Sequence, residues 1–248
     1  MYPTQSNRPQ ARDFFDGVLL IDKPQGPTSH DVVDKIRRYF RFEKVGHGGS
    51  LDPQATGLLI ILIGKGTKIS AQFMTADKTY EGCMHLGIST DSHDAEGKVL
   101  RESDPSSVTR ERLEAGMAAF RGDVFQVPPM VSAVKKNGVP LYKLARKGKT
   151  IEREKRLVHI HEFVVTEFSP PLVHFRMRCT KGTYVRTICH DLGEALGCGA
   201  HLSQLRRTQC GGFNVADAIT VAQAIEMDRT SFMEKIIPLS RIPSSHQA

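Results

Sequence analysis

The segment GHGGSLDPQATG, residues 46–57, brings glycines, a histidine and an Asp-Pro pair into one short stretch. Glycine lets a backbone take positive φ or approach another group closely, whereas Pro53 fixes its own φ and disfavours a helical conformation at Asp52. The pattern predicts a carboxylate held at a stiff point directly after a pliable loop. Gly, Asp and Pro are also the usual residues of surface turns, so this segment alone leaves a purely structural turn open.

The composition is typical of a cytosolic globular domain. A chain of 248 residues, 40% hydrophobic, is long enough for one large domain, with or without a small insert. The 5 cysteines are odd in number and contain no Cys-x-x-Cys pair, which argues against a zinc knuckle or a disulfide framework and for a reducing compartment. Residues 1–14 are polar and predicted to be flexible, and no apolar run reaches the length of a membrane span.

The positive charge of the chain is concentrated in one segment. The whole chain has a net charge of +7, and residues 128–156 alone contain nine basic and two acidic residues. The basic residues are Lys135, Lys136, Lys143, Arg146, Lys147, Lys149, Arg153, Lys155 and Arg156. Such a patch on a near-neutral body favours a polyanionic partner, although a solvated charged hairpin is an alternative.

The hydrophobic pattern predicts an α+β fold with a mixed, largely antiparallel sheet flanked by helices. Strands and helices do not alternate regularly, and no Gly-x-Gly-x-x-Gly is present, so a Rossmann fold is not expected. Predicted strands cover residues 17–22, 58–63, 78–88, 156–168 and 172–179, with an extended stretch over 124–134. Predicted helices run from a cap at Thr28 or Ser29 to about 41, and over 109–120, 141–147 and 184–196, with a mostly helical segment over 215–235.

Three further segments place chemistry-bearing side chains beside special backbone residues. Lys23 opens the loop KPQGPTS before a helix, a position that can hold a phosphate, brace another loop or serve as a rigid connector. Tyr80 lies in a strand, where a buried core tyrosine is the default. Arg186 lies in the first turn of a helix, against the helix dipole, so a nearby buried carboxylate is expected unless the side chain is simply exposed.

Two other patterns fail as functional sites. The stretch Gly64-Lys65-Gly66-Thr67 lacks the leading glycine and the Ser/Thr of a phosphate loop. His159 and His161 lie two residues apart, but no cluster of further ligands completes a metal site, so exposed strand histidines are the better interpretation.

Taken together, these segments resemble the TruB-type tRNA pseudouridine synthases. The resemblance runs from about residue 17 to about residue 213 and rests on KPQGPTSHDVV, GHGGSLDPQATGLL, KTYEGCMHLGISTDSHDAEG, QVPPMVSAVKKNGVPLYKLARKG and CTKGTYVRTICHDLGEALGCGAHLSQLRRTQCGGF. It implies the pseudouridine synthase fold and isomerisation of the uridine at tRNA position 55, in the TΨC arm, to pseudouridine. No cofactor or metal is implied.

The resemblance also implies roles for individual residues. Asp52 matches the catalytic aspartate, Tyr80 the tyrosine that stacks on the target base and assists proton removal at C5, and Arg186 the arginine that pairs with the aspartate. His47 matches the residue that fills the space left by the flipped base, Leu205 an apolar residue of the base pocket, and Lys23 the lysine that supports the loops. The glycines, Gly46 among them, would admit RNA backbone, and the basic segment, including Lys135, Lys136, Lys143, Arg146 and Lys147, would grip phosphates.

The implied organisation is a single catalytic domain over residues 15–248 with a basic RNA-binding insert at about 128–156. Many bacterial members carry a further C-terminal RNA-binding domain of the PUA type, and a full domain of this kind is not expected here. The expected protein is a cytoplasmic monomer that binds the T arm of tRNA without a protein partner or a membrane. An RNA-binding folding chaperone, or a synthase that acts on another RNA, remains an alternative.

Overall fold

The computed structural model describes residues 15–130, 132, 135–136, 138–141 and 151–242. Its strands are β1 (Gly17–Lys23), β2 (Val45–His47), β3 (Thr56–Ile63), β4 (Lys78–Leu86), β5 (Ile88–Thr90), β6 (Val99–Glu102), β7 (Gly122–Gln126), β8 (Lys135–Lys136), β9 (Val139–Pro140), β10 (Arg156–Ser169), β11 (Leu172–Cys179), β12 (Ala200–Cys210), β13 (Phe213–Asn214), β14 (Ile219–Thr220) and β15 (Ile237–Pro238). Its α-helices are α1 (Ser29–Tyr39), α2 (Ser70–Thr75), α3 (Arg110–Ala118), α4 (Val185–Leu196), α5 (Val221–Glu226) and α6 (Arg229–Glu234). Short 3-10 helices cover Gly64–Ile69, Val215–Asp217 and Leu239–Arg241.

An 11-stranded sheet forms the centre of the fold, in the order β14-β1-β3-β12-β4-β11-β10-β7, with β2, β13 and β15 paired at its sides. Strand β1 pairs with β14, and β3 with β12, in parallel. The other ladders of this sheet are antiparallel, among the residues that the structure describes. The predicted α+β class with a mixed, largely antiparallel sheet is therefore confirmed.

Apolar side chains cover both faces of the β1–β3 pair. Helices α1, α5 and α6 pack on one face, where Phe40 stacks on Phe232 at a ring-centroid distance of 3.5 Å. The other face of β3 packs against Phe73 of α2. This two-sided burial explains why β3 is a continuous apolar run rather than an alternating one.

The β12-β4-β11-β10 part of the sheet buries one face only. Its strand β11 alternates as predicted, with Val173, Phe175, Met177 and Cys179 buried. Helices α3 and α4 cover that face through Leu113, Met117 and Leu192. The predicted helices at 109–120 and 184–196 are thus confirmed with slightly shorter bounds, because caps and last turns fall outside the regular helix.

Helix α1 begins where the sequence predicted. Thr28 is its N-cap and accepts a hydrogen bond from the Asp31 backbone N–H, while the Asp31 carboxylate accepts from the Thr28 N–H. This capping box satisfies donors that the first helical turn leaves unpaired. The helix ends at Tyr39, two residues earlier than predicted, and the Tyr39 side chain is exposed rather than part of the buried face.

The structure differs from the predictions in several places. Strand β12, in the middle of the sheet, was not predicted. The strand predicted over 78–88 is interrupted at Gly87, where φ is 88° and β5 begins a separate hairpin. Residues 215–235 contain two short helices and strand β14 rather than one mostly helical segment. Residues 1–14, 142–150 and parts of 131–137 lie outside the described residues, so the flexible N-terminus and most of the helix predicted over 141–147 do too.

No helix within the described ranges is long and apolar enough to cross a membrane. The 5 cysteines, all of which the structure describes, are buried and unpaired.

Gly57 lies at the junction of β1, β3 and β12, opposite Lys23 on one side and Arg207 on the other. Its φ is 98°, and a Cβ here would overlap the Arg207 carbonyl oxygen and approach the Arg207 amide nitrogen at 2.8 Å. Gly57→Ala should therefore lower the free energy of unfolding by about 3 kcal/mol or more, through backbone strain and a clash with rigid backbone. Urea unfolding monitored by circular dichroism measures the loss.

Gly26→Ala is the matched control for this prediction. Gly26 has a similar φ of 106°, but an added Cβ would meet nothing within 4 Å. Only the strain of positive φ remains at this position, so we expect a loss of about 1 kcal/mol. Equal losses for the two variants would contradict the clash at the strand junction.

Candidate active site

Asp52 begins a tight turn between β2 and β3. The Ala55 N–H donates to the Asp52 carbonyl oxygen at 3.0 Å, and Pro53 occupies the second position of the turn, which it favours. Three neighbours brace this turn, from the end of β1, the loop that follows it and the start of α1. The Gly26 N–H donates to the Pro53 carbonyl at 2.9 Å, and the Ser29 hydroxyl donates to the Leu51 carbonyl at 3.1 Å and accepts from the Leu51 N–H at 2.8 Å.

Lys23 is the third brace, and its side chain is fully buried. Its ammonium donates to the carbonyl oxygens of Pro24, Pro53 and Ala55 at 2.9, 3.1 and 2.7 Å. Burial lowers the pKa of Lys23 to about 8, an effect that the negative charge of Asp52 opposes and the charge of Arg207 reinforces. Of the functions considered for the KPQGPTS loop, the observed contacts support bracing of a second loop.

Arg186 projects from the first turn of α4 and is 4% exposed. Its guanidinium lies 3.3 Å from the Asp52 carboxylate and 3.1 Å from the Asp94 carboxylate. The buried carboxylate expected beside this cation is therefore present as Asp94, and the more exposed Asp52 is a second carboxylate partner. Gln126 of β7 fixes the start of the helix, since its side-chain amide bonds both the N–H and the carbonyl oxygen of Tyr184.

Asp94 is a site residue that the sequence did not single out. It lies in the β5–β6 hairpin, and its side chain is only 14% exposed. The hairpin is docked on β12 by two backbone hydrogen bonds, from the Ala95 N–H to the Leu202 carbonyl and from the Leu202 N–H to the His93 carbonyl. The only signal in the sequence was that the segment KTYEGCMHLGISTDSHDAEG carried part of the family resemblance, without a role for its aspartates.

Asp52, Asp94 and Arg186 line a cleft of about 190 Å³, together with Glu96, Ser203 and Leu205. The Asp52 side chain keeps 51% of its surface open to this cleft. The surrounding protein atoms nevertheless displace much of its water, and this burial raises the pKa of the Asp52 carboxyl. Arg186 lowers the same pKa, whereas the negative charges of Asp94 and Glu96 raise it.

Tyr80 lies deeper than the cleft, in β4, and is 9% exposed. It packs in the same apolar cluster as Leu51 and Ala55, which flank the Asp52 turn. Burial raises the pKa of the Tyr80 hydroxyl to about 12, although the nearby Arg207 guanidinium opposes this shift.

His47 lies at the end of β2 and is half-buried. Its Nδ1 accepts the Gly49 N–H at 3.3 Å, which favours the neutral ring. Burial, and then the charges of Arg207 and His30, lower the pKa of His47. Tyr80 and His47 thus contact the loop that carries Asp52 but do not line the cleft itself.

The glycines of the loop differ from one another. Gly48 is needed for close packing, because a Cβ there would lie 2.6 Å from the Cβ of Phe73. Gly46 lies in β2, has no positive φ, and a Cβ there would meet Thr67 at an ordinary 3.5 Å. The pliability expected at Gly46 is therefore not required by the fold.

Part of the basic insert, including residues 142–150, lies outside the residues that the structure describes. The structure gives the backbone of Lys135 and Lys136 in β8, while Lys143, Arg146 and Lys147 lie outside the described residues.

The model of the TruB family pseudouridylate synthase N-terminal domain matches residues 37–185, and that of the tRNA pseudouridylate synthase B C-terminal domain matches residues 186–240. This chain belongs to the TruB family. The boundary between the two matches falls at the start of α4, between the cleft residues Asp52 and Asp94 on one side and Arg186 on the other.

Curated relatives of this TruB family member include "tRNA pseudouridine synthase B" of Opitutus terrae, which is 51% identical over 230 residues, 93% of this chain and 95% of that protein. The protein of the same name from Pseudomonas aeruginosa is 50% identical over 210 residues, 85% of this chain and 69% of that protein.

A chain in the crystal structure of a Cbf5-Nop10-Gar1 complex shares the fold with a TM-score of 0.71 and 32% identity. The match covers 90% of the present protein and 60% of the chain from that complex.

The charges around Asp52 give a prediction for its ionisation. In the free protein, the pKa of Asp52 should lie above the ordinary value of about 3.9, because burial outweighs Arg186. Asp94→Asn should lower it, since the change removes a negative charge and leaves the Arg186 guanidinium to Asp52. Carbon-13 NMR titration of the carboxyl groups, with the Asp52 signal assigned by its loss in Asp52→Asn, measures both values.

Asp123→Asn is the matched control. Asp123 pairs with His159 at 2.7 Å on β7, away from the cleft, so its loss should leave the Asp52 titration unchanged. An Asp52 pKa that rises or stays constant in Asp94→Asn would contradict the charge arrangement described above.

Proposed function

We propose that this chain is a tRNA pseudouridine synthase that converts the uridine at position 55, in the TΨC arm, to pseudouridine. Family membership and the names of the curated relatives support the reaction class and the substrate. The single observation that carries the proposal is the contact of Arg186 with both Asp52 and Asp94 in a cleft.

This charge arrangement is costly for a protein that only binds RNA. Removing ionised groups from water carries a large desolvation penalty, and a buried ion pair is weak evidence for stability. A cleft carboxyl whose pKa is raised by burial, as at Asp52, beside a buried cation is, in contrast, typical of catalytic sites. The arrangement therefore favours the enzyme over the folding chaperone as the function of this chain.

The reaction is an isomerisation and needs no cofactor. The bond from ribose C1′ to N1 of uracil breaks, the detached base rotates, a bond from C1′ to C5 forms, and the proton on C5 is lost while N1 gains one. Asp52 acts at the start of this sequence, by attack on C1′, by attack on C6 or by removal of a ribose proton. Each of these steps requires the ionised carboxylate, which Arg186 favours and holds in place.

Access to the uridine requires base flipping, because a base inside a folded T loop cannot reach Asp52. Flipping costs a few kcal/mol, which stacking on aromatic side chains offsets. In this proposal the Tyr80 ring stacks on the flipped base and assists removal of the proton from C5. The His47 side chain fills the space that the flipped base leaves. Leu205 lines the cleft and supplies an apolar wall, while Lys23 supports the Asp52 turn from below.

The enzyme acts in this proposal as a cytoplasmic monomer without a protein partner. Its single catalytic domain contains the basic segment at about 128–156, which contacts the phosphates of the T arm. Such contacts position the RNA and carry no sequence information.

The central test is a C5-tritiated uridine in a T-arm hairpin RNA. Wild-type protein should release tritium without any added cofactor, and Asp52→Asn should lower the single-turnover rate by at least about 10³-fold, because the amide cannot act as nucleophile or base. Counting of tritiated water over time measures the rate, and filter binding gives the affinity of the same RNA.

Asp123→Asn is the control again, since it makes the same chemical change outside the cleft, and it should release tritium at the wild-type rate. Tight binding by wild type without release from the hairpin or from full-length tRNA would contradict the proposed reaction on this substrate. The chaperone, or a synthase for another RNA, would then be the function to test.

The basic segment gives a separate prediction. Replacement of Lys143, Arg146 and Lys147 by Ala should weaken RNA binding and lower the slope of log affinity against log salt by roughly two to three, since each lost phosphate contact lowers it by about 0.7–0.9. Filter binding at several salt concentrations measures the slope.

A triple variant of Arg110, Arg176 and Lys235 to Ala removes the same charge outside the insert and should keep the wild-type slope. Equal slopes in the insert variant and the wild type would show that these residues do not contact phosphate.

A further inference from the structure

Arg207 of β12 is a buried cation that the proposed mechanism does not use. Its side chain is 2% exposed, and it belongs to the largest fully buried side chains of the protein. Among the residues that the structure describes, its guanidinium makes three hydrogen bonds to backbone carbonyls. Nε donates to Leu58 at 2.7 Å, Nη1 to Ser50 at 3.3 Å and Nη2 to Gly49 at 3.1 Å.

These three carbonyls lie on both sides of Asp52 in the chain. Ser50 and Gly49 precede the Asp52 turn, and Leu58 follows it within β3. One planar group therefore ties together the two ends of the segment that presents the carboxylate. The guanidinium suits this task because its donors point in fixed directions within a plane.

Arg207 also faces Tyr80. The two residues are partners in the β12–β4 ladder. Both lie on the sheet face that carries the cluster of Tyr80, Leu51 and Ala55, and the guanidinium is close enough to the phenol to oppose the effect of burial on its pKa. The Asp52 loop and Tyr80 thus share one rigid neighbour.

The charge of Arg207 is balanced by no carboxylate in the described part of the chain. Arg186 and Arg206 each form ion pairs there, with Asp52 and Asp94 and with Asp22, respectively, whereas Arg207 forms none. A buried cation that is solvated only by carbonyl dipoles is costly compared with an apolar side chain of similar size. The presence of such a cation between the Asp52 loop and Tyr80 indicates that the planar arrangement of its donors is required there.

We propose that Arg207 is a positioning residue that sets the distance and orientation between the Asp52 carboxylate and the Tyr80 ring. This inference rests on the proposed pseudouridine synthase function, in which both groups act on one uridine. Arg207 itself does not touch the substrate. It acts by holding the loop of residues 49–58 and the Tyr80 side chain against the same guanidinium plane.

Arg207→Lys tests this proposal. Lysine keeps the positive charge but is a compact point donor, so it cannot hold the Leu58 and Gly49 carbonyls in the same planar arrangement. Since a shift of about 1 Å at a reacting group costs about 10²-fold in rate, we expect the single-turnover tritium release to slow by about 10²-fold. The affinity for the hairpin RNA should stay within about threefold of wild type, because phosphate contacts are unchanged.

The amplitude of the single-turnover reaction separates positioning from damage to the fold. At equimolar protein and RNA, a variant that is partly unfolded releases less tritium in the first turnover at an unchanged rate constant, whereas a misplaced carboxylate releases the full amount slowly. Arg206→Lys is the matched control, since Arg206 is the neighbouring arginine of the same strand and pairs with Asp22 at 2.7 and 3.0 Å instead of holding the loop. It should keep the wild-type rate constant.

A double-mutant cycle tests the link to Tyr80. If Arg207 acts partly by placing Tyr80, the fold-losses in rate of Arg207→Lys and Tyr80→Phe should not multiply. The rate constant of the double variant should then be clearly higher than the value calculated by multiplying the two single losses. Arg207→Gln is the second variant. It retains side-chain N–H donors but lacks the positive charge and the planar guanidinium. It should show the same slow, full-amplitude release.

The outcomes distinguish this inference from the proposed function. Absence of release by wild-type protein would overturn the function itself. With an active wild type, the inference is overturned if Arg207→Lys keeps a rate constant within about threefold of wild type, if its loss is confined to amplitude or RNA affinity, or if neither Arg207 variant folds. Fully multiplicative losses in the cycle would overturn the proposed link to Tyr80.

Discussion

The parallel pairing of β3 with β12 is the contact on which the candidate active site depends. It consists of two residue pairs, Thr56 with Arg206 and Gly57 with Arg207, yet it joins the β14-β1-β3 part of the sheet to the β12-β4-β11-β10-β7 part. The Asp52 turn belongs to the first part, and Tyr80 to the second. Because Gly57 has no side chain, the two backbones can meet closely here, and the carboxylate comes to lie beside the residues that act with it.

Three buried cations hold the site in shape, and each has a different set of partners. Lys23 bonds carbonyls of the turn, Arg186 bonds two carboxylates, and Arg207 bonds carbonyls at both ends of the loop. Two of them, Arg186 and Lys23, lower the pKa of Asp52 and so favour its ionised form against burial and the charges of Asp94 and Glu96. The cost of burying these groups falls on the stability of the fold, and the gain is a carboxylate that needs no reorganisation when substrate arrives.

Membership of the TruB family and the observed geometry of the site independently support the same reaction. The relatives supply the reaction class, while the contacts of Arg186 with Asp52 and Asp94 show how the Asp52 carboxylate is held in the cleft. Phosphate binding is assigned to a different part of the protein, the basic segment, so that affinity for RNA and chemistry on the base can vary separately.

The sequence by itself determined the elements whose signals are local, and the resemblance added the expected pairing of Asp52 with Arg186. The cap of α1 at Thr28, the apolar run of β3 and the alternation of β11 all depend on near neighbours, and each was predicted. Strand β12 was missed because polar residues dominate it and because two register shifts, between Leu202 and Gln204 and between Arg207 and Gln209, break the alternation of its apolar residues. Only the tertiary structure decided that Asp94 shares Arg186 with Asp52, and that Arg207 bonds the Asp52 loop, because these contacts join residues 92 and about 150 positions apart. Such distances in the chain leave no periodicity or spacing from which a contact could be inferred, so strand pairing, helix packing and hairpin docking bring these residues together.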